Sequence, residues 1–346
     1  MRTERLKTIM VAALVLAALA LPTGLAAQKN YAVVELSAAF FREKAGYEEE
    51  LGTQNLMGTP LEILDSTGYW LRVRTPEPYD AWVTDLAVTR MDSLQLKEYI
   101  AAPKYICVAR WTEMWSAPSV KSLRVSDMVQ GDIVRIWKDG RGRPVKSRGF
   151  LGVILPSGRT AYVKAGDLED FTSWAATRKA TPENIVATAL TFRGTPYMWG
   201  GTSPKSFDCS GLTRTVYFLN GILLPRNASQ QIFTGNVVDI SELKAGIASG
   251  NVTSYGDLRP GDLLFFGRIR PDGKESITHV GLYIGDGRLI HSSHLVRINS
   301  LNPDEPDYYT GSVRLLHARR ICSPDGEPLG LPEIKDSPYY FPQPEE

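Results

Sequence analysis

A cysteine set among small polar residues and two histidines twelve positions apart are the side chains here best suited to covalent chemistry. Cys209 stands in Ser206-Phe207-Asp208-Cys209-Ser210-Gly211-Leu212, which is not a core pattern. A helix is expected from about Asp208 to Leu219, with Gly221 just past its end. Unpaired N–H groups and the helix dipole at its start would favour a thiolate and lower the thiol pKa. A thiolate is a strong nucleophile, and a neighbouring base activates it further. His279 lies seventy residues on, in Thr278-His279-Val280-Gly281-Leu282-Tyr283-Ile284-Gly285, and His291 follows within Leu289-Ile290-His291-Ser292-Ser293. Gly285-Asp286-Gly287 is a hairpin turn signal, and a tight hairpin could stack the two imidazoles in line. That supplies a base and an orienting third group.

Each residue alone has a plainer reading. A single Cys is most often a small buried hydrophobe, and a single His is most often structural. The joint pattern weighs differently, because half of the chain's four His fall in one hairpin. His294 and His317 read as ordinary surface or core residues. Zinc is the competing chemistry for Cys, His and Asp near one site. The linear Cys–His–His order and the Trp199-Gly200-Gly201 loop favour covalent catalysis, and neither metal nor cofactor is expected.

The elements that must position these residues follow from the pattern. Thr181-Pro182-Glu183 is a helix start, and Ile185, Val186, Ala189, Leu190 and Phe192 give it an apolar face. Strands are expected at 262–266, 279–284, 289–292 and 313–318. Helices first and an antiparallel sheet after read as α+β. Upstream, 30–37, 60–64, 69–74 and 81–83 are short β-rich runs, and 105–110, 129–136, 149–154 and 160–163 repeat the plan. Ala81-Trp82-Val83 with Asp85-Leu86 matches Ala161-Tyr162-Val163 with Asp167-Leu168, a weak repeat of about 70 residues. Two small all-β barrels are expected there. Residues 171–180 read as a linker. Ser323–Glu346, with six of the 22 Pro, reads as an extended or loosely ordered tail.

Composition narrows the function classes. The 346 residues are 43% hydrophobic and 22% charged, with a net charge of +1, so wholesale disorder and a basic nucleic-acid binder are both disfavoured. Three Cys cannot build a disulfide framework or a four-cysteine zinc site. A single Cys107–Cys322 bridge stays open. Arg2, Arg5 and Lys7, the apolar run from Ile9 to Leu21 and small residues to Ala27 have the layout of an export signal. The expected organisation is a signal over 1–27, β domains at 28–97 and 98–172, a catalytic domain at 173–322 and a Pro-rich tail at 323–346. The mature chain is expected to be exported to a periplasm or the exterior, with no stable membrane insertion and a monomer favoured.

Residues 181–322 resemble the NlpC/P60 family, papain-like cysteine peptidases of bacterial cell-wall peptides. The likeness rests on Tyr197-Met198-Trp199-Gly200-Gly201, Phe207-Asp208-Cys209-Ser210-Gly211, Leu224-Pro225-Arg226 with Ser229-Gln230, Leu258-Arg259-Pro260-Gly261-Asp262-Leu263, the His279 run and Leu289-Ile290-His291. The whole layout resembles its γ-D-glutamyl-L-diamino-acid endopeptidases, of the dipeptidyl-peptidase VI type, which carry two N-terminal bacterial SH3-like domains.

The resemblance implies that Cys209 is the nucleophile, His279 the base and His291 the residue that orients it. The oxyanion would be held by the Cys209 N–H and the Tyr197 hydroxyl. Asp208, Ser210 and Ser229 would line the substrate pocket. Asp208 would meet the free amine of an N-terminal L-Ala, with Glu50 and Tyr79 of the first β domain closing that end. The implied substrate is a murein peptide with γ-D-Glu followed by diaminopimelate or Lys. A silent cell-wall binding protein and an acyl or amide transferase are the alternatives on the same scaffold. The 235–258 insertion has no assigned role beyond a place that could border the groove.

Overall fold

A computed structural model describes residues 30–343. The export-signal reading of 1–27 lies outside the described residues. Among the described residues no helix is long and apolar enough to cross a membrane.

Alternating buried and half-exposed residues between tight turns give the N-terminal half its strands. The first sheet holds β1 (Tyr31–Val34), β2 (Ala39–Arg42), β3 (Leu51–Asn55), β4 (Pro60–Thr67), β5 (Trp70–Arg74), β6 (Asp80–Thr84) and β7 (Val88–Met91). Its antiparallel order is β3-β2-β6-β5-β4-β1-β7. Helix α1 (Ser93–Ala101) follows, started by an Asp92 capping box with Gln95. The second sheet holds β8 (Lys104–Cys107), β9 (Trp111–Trp115), β10 (Arg124–Val129), β11 (Ile133–Ile136), β12 (Lys146–Ser147), β13 (Phe150–Ile154), β14 (Thr160–Lys164) and β15 (Leu168–Asp170). Its order is β10-β9-β14-β13-β11-β8-β15, with β12 on β13.

With β12 set aside, the two orders are the same, strand for strand. The exit strands β6 and β14 each run into a 3-10 turn, Asp85–Ala87 and Ala165–Asp167. The chain then returns as β7 or β15 to pair with the first strand of its copy. The repeat read from the sequence is thus visible as shared topology. Neither strand path closes on itself, so where barrels were expected each copy is an open antiparallel sheet.

Residues 129–136, expected as one strand, are two. Gln130-Gly131-Asp132 makes a turn with Gly131 at φ +97°, and Asp132 accepts from the Val129 N–H at 2.7 Å and the Met57 N–H at 2.9 Å. The 171–180 segment, read as a linker, contains α2 (Phe171–Thr177), whose Phe171 and Trp174 are buried.

The C-terminal half opens with α3 (Pro182–Thr191), capped by Thr181 with Pro182 in its first turn as expected. A small ribbon, β16 (Thr202–Ser203) with β17 (Ser206–Phe207), leads into α4 (Cys209–Leu219). Then come α5 (Ala228–Gln231), β18 (Asn236–Val237), α6 (Ser241–Ser249), β19 (Leu263–Ile269), β20 (Glu275–Gly285), β21 (Arg288–Ser293), β22 (Leu295–Ser300) and β23 (Leu315–Arg320). The sheet order is β18-β23-β19-β20-β21-β22. Phe192, Phe207, Leu212, Val216, Phe265, Val280, Leu282 and Ile290 are fully buried between the helices and this sheet. Each such side chain contributes about 1.5–3 kcal/mol.

Two expectations change. The Pro-rich tail is docked rather than loose. Ile334 and Tyr340 are buried in the main core, Phe341 stacks on Phe171 at 4.9 Å, and the Ile334 N–H bonds the Gly221 carbonyl at 2.8 Å. Proline only stiffens this segment, and its apolar residues supply the reason to dock. The 235–258 insertion sends Val238, Ile240, Leu243 and Ile247 against Leu264, Phe266, Tyr283 and Leu289. It therefore braces the sheet rather than bordering the groove.

Candidate active site

Asp208 starts α4 and does so as an N-cap. Its side chain accepts from the Gly211 N–H at 2.7 Å and the Gly200 N–H at 3.0 Å. Arg226 clamps the same carboxylate through two nitrogens, at 2.5 and 3.2 Å, and ties it onward to the Thr53 hydroxyl of β3 at 2.8 Å. Ser210 also donates to Asp208, at 3.3 Å. Asp208, expected to meet the substrate ammonium, is thus buried and held by Arg226.

Cys209 is the first helical residue and is partly exposed. Backbone N–H groups of Ser210 and Val280 bond its sulfur, which seats it against the residue after His279. Gly211 allows that seat, because a Cβ there would lie 1.9 Å from the Gly201 carbonyl oxygen. Gly200, at φ +78°, also leaves no room for a Cβ, which would lie 2.7 Å from Leu51 of β3. These contacts give the Trp-Gly-Gly and Cys-Ser-Gly runs their physical reason.

The β20–β21 hairpin turns at Asp286 and Gly287, both at positive φ, as its Gly-Asp-Gly signal predicts. A Cβ at Gly281 would lie 2.8 Å from Leu289 Cδ1 and 3.3 Å from the His291 Cβ, so glycine there lets β21 pack close. His279 Nε2 then meets His291 Nδ1 at 2.7 Å, and His291 Nε2 meets Asn299 Oδ1 at 3.0 Å. His291 is fully buried. Tyr309 lies edge-on to it at 4.6 Å and 5.8 Å from the His279 ring.

Burial dominates the electrostatics. It pushes the His279 imidazole down to about 3, with His291 and Arg314 adding, and His291 down to about 4 against the Asn299 hydrogen bond. It pushes the Cys209 thiol up to about 11, with the Asp208 charge adding and the Val280 and Ser210 N–H groups opposing. Burial thus opposes the lowering of the thiol pKa expected from the helix start. Tyr197 is raised to about 12 by burial and then by Cys209, so its phenol keeps the proton it would donate.

Cys209, Tyr197, Asp208, Ser210, Ser229, Tyr79 and Glu50 all line one cleft of ≈ 490 Å³. His279 follows directly on Thr278 of its wall, and His291 is not among the lining residues. Glu43, Trp199, Arg226, Ile277 and Thr278 complete the walls. The Tyr79 hydroxyl donates to Glu43. No group of three His, Cys, Asp or Glu among the described residues is arranged to hold a metal. Cys107 and Cys322 are separate buried thiols, so the bridge left open by the sequence is not formed.

Sequence reasoning missed Glu43, Arg226, Asn299 and Tyr309 as site residues. Arg226 sat in a quoted motif without a role. Glu43 comes from another domain, and no local signal marks it. Asn299 lies on β22, a strand the reading did not find.

A model of the NlpC/P60 family matches residues 194–314. A γ-D-glutamyl-L-lysine dipeptidyl-peptidase of Bacillus cereus is 30% identical over 284 residues, covering 77% of this chain and 76% of its own. The dipeptidyl-peptidase 6 of Lysinibacillus sphaericus is 27% identical, over 81% of this chain and 94% of its own. A crystal structure of an NlpC/P60 family protein from Bacillus cereus superposes with a TM-score of 0.67 at 24% identity, over 84% of this chain and 99% of that one.

Proposed function

This chain belongs to the NlpC/P60 family and is a cysteine peptidase, and from that premise we propose that it hydrolyses the γ-D-Glu–L-diamino acid bond of cell-wall peptides bearing a free N-terminal L-Ala. The observation that carries the reading is the joint cleft. The Cys209 thiol opens into it from α4, and Glu43, Glu50 and Tyr79 line it from the turns beside β2, β3 and β6; in this reading they close one end. Acids and a hydroxyl at a closed end suit an ammonium, whereas an acylated or glycan-linked L-Ala brings bulk and no charge. Export is part of the same reading and rests on the signal-like layout of residues 1–27.

The chemistry is general-base nucleophilic catalysis. As the Cys209 sulfur attacks the γ-carbonyl carbon of D-Glu, its proton passes to His279 and the C–S bond forms. The carbonyl oxygen takes the electron pair. The Cys209 N–H, which has no intrahelical partner at the first helical position, and the Tyr197 hydroxyl hold that charge. Collapse breaks the C–N bond, and the departing amine takes the proton from His279. Water then gives a proton to His279 and attacks the thioester carbon; the C–S bond breaks, the dipeptide acid leaves, and His279 returns the proton to the Cys209 sulfur. His291 holds the His279 ring through the 2.7 Å contact.

The test uses L-Ala-γ-D-Glu-diaminopimelate and its Lys counterpart, each with free and acylated L-Ala, with products read by mass spectrometry. Cleavage of the free peptides alone, abolished in Cys209→Ala, is the expected result. Equal cleavage of free and acylated peptides would remove the amine argument. An uncleaved set, with Cys209 alkylatable, would point to transfer or binding.

A further inference from the structure

We propose that Asn299, locked by the Asp307 backbone carbonyl, is a positioning residue that sets the direction of the hydrogen-bond chain through both imidazoles and leaves Nδ1 of His279 as the atom that takes the thiol proton. This rests on Cys209 and His279 being nucleophile and base, as proposed above.

The direction follows from donor chemistry at one end. Asn299 Nδ2 lies 2.6 Å from the Asp307 carbonyl oxygen, which only accepts, so the amide nitrogen must face Asp307. Asn299 Oδ1 therefore faces His291 Nε2 at 3.0 Å, and that nitrogen must carry the hydrogen. A neutral His291 then has a lone pair on Nδ1. It accepts from His279 Nε2 at 2.7 Å, which fixes the His279 hydrogen on Nε2. One nitrogen of His279 remains unprotonated, and it is Nδ1. Turning the Asn299 amide by 180° would reverse every step and put a hydrogen on His279 Nδ1. A base with its proton already in place cannot accept the thiol's.

The anchor is itself held. The Asp307 carbonyl also accepts from the Ser300 N–H at 3.1 Å, and the Asp307 carboxylate pairs with Arg288 at 2.6 Å. Asn299 is 9% exposed and His291 fully buried, so water does not compete freely for these groups. The amide is also uncharged. It orients His291 without adding the negative charge that an Asp would supply, which suits a pair kept neutral at rest. The other charged and titratable groups around the pair are Arg297 on β22, Arg314 and Tyr309 on the loop beyond it, and Cys209 on α4.

The experiment is long-range ¹H–¹⁵N spectroscopy of the full chain labelled at histidine, assigned with His279→Gln and His291→Gln. Both rings should show a protonated Nε2 and an unprotonated Nδ1 near neutral pH. Asn299→Ala should mix the tautomers and lower kcat about 10–100-fold, less than the ~10²–10⁴ that the positioned base itself contributes, with little change in KM. Asn299→Asp keeps the acceptor, loses the donor and adds charge. It should restore part of kcat and move the acid limb of the profile to higher pH. A protonated Nδ1 on His279 in the native chain would overturn the proposal, as would Asn299→Ala with native tautomers and kcat. If Asn299→Ala does not fold, the native spectrum decides alone. The spectrum does not depend on turnover, so expected tautomers together with a Cys209→Ala variant that still cleaves would sink the peptidase mechanism and not this assignment.

Discussion

Two imidazoles that touch each other inside a protein share one liability, which is acid. The unfolded chain titrates its histidines near 6.5, whereas the folded chain holds His291 to about 4 and His279 to about 3, chiefly through burial. Between those values the unfolded state binds more protons, so stability rises with pH and falls as pH drops from 6.5 toward 4. His291→Gln should flatten that slope by up to one proton, read as the urea midpoint against pH. An unchanged slope would mean that other groups carry the acid sensitivity. The same shift bears on catalysis. A base whose pKa is held down stays neutral in mild acid, so kcat/KM should hold from pH 7 to about 5 and fall only below that. A fall centred near 6.5 would show an imidazole that the burial does not perturb.

Helix α4 brings its cysteine to the sheet only because Gly211 lets its first turn touch the Gly201 carbonyl. Alanine is otherwise the better helix residue by about 1 kcal/mol, so an open site would gain from Gly211→Ala. Here the added Cβ would sit 1.9 Å from backbone, and the helix start must move. A loss of about 1–3 kcal/mol by thermal melting is expected, with kcat reduced and Cys209 still alkylatable. Increased stability would mean that the contact is not tight. What could be read in the sequence follows from how local each signal is. The Thr181 cap with Pro182, the Asp208 start of α4 and the turn at Asp286-Gly287 are all decided within four residues, and all were legible. Strand β22 was not. Its turn from β21 is made by His294 at φ +63°, with none of the Gly, Pro, Asn or Asp residues that mark a turn in the sequence. Missing β22 meant missing Asn299, and with it the far end of the imidazole chain.

The catalytic half does not hold its cleft by itself. Gln54 of β3 accepts from the Thr202 N–H at 3.0 Å, Arg226 reaches Thr53, and Arg214 of α4 meets Glu77 in a nearly dry ion pair at 2.8 Å. Removing one partner strands the other charge, so Glu77→Gln should cost about 3–5 kcal/mol and be felt at both the first sheet and α4. Separate melting of the two halves would show that the contact is not a tie. Such rigidity matters because the acids at the closed end of the cleft come from outside the catalytic half. Their positions relative to Cys209 are set by long-range packing, which is why Tyr79 and Glu50 could be proposed only by resemblance and Glu43 not at all. If that end recognises an ammonium, its charge should act on binding and not on the bond-breaking step. Glu43→Gln combined with Glu50→Gln should then raise KM for a free-amine peptide about 10–100-fold, the worth of one or two charge-assisted hydrogen bonds, and leave kcat within twofold. An acylated peptide should stay uncleaved by the variant as by the native chain. A fall in kcat with KM intact would place these acids in the chemistry instead, and no effect on either would leave the closed end as a wall that selects by shape alone.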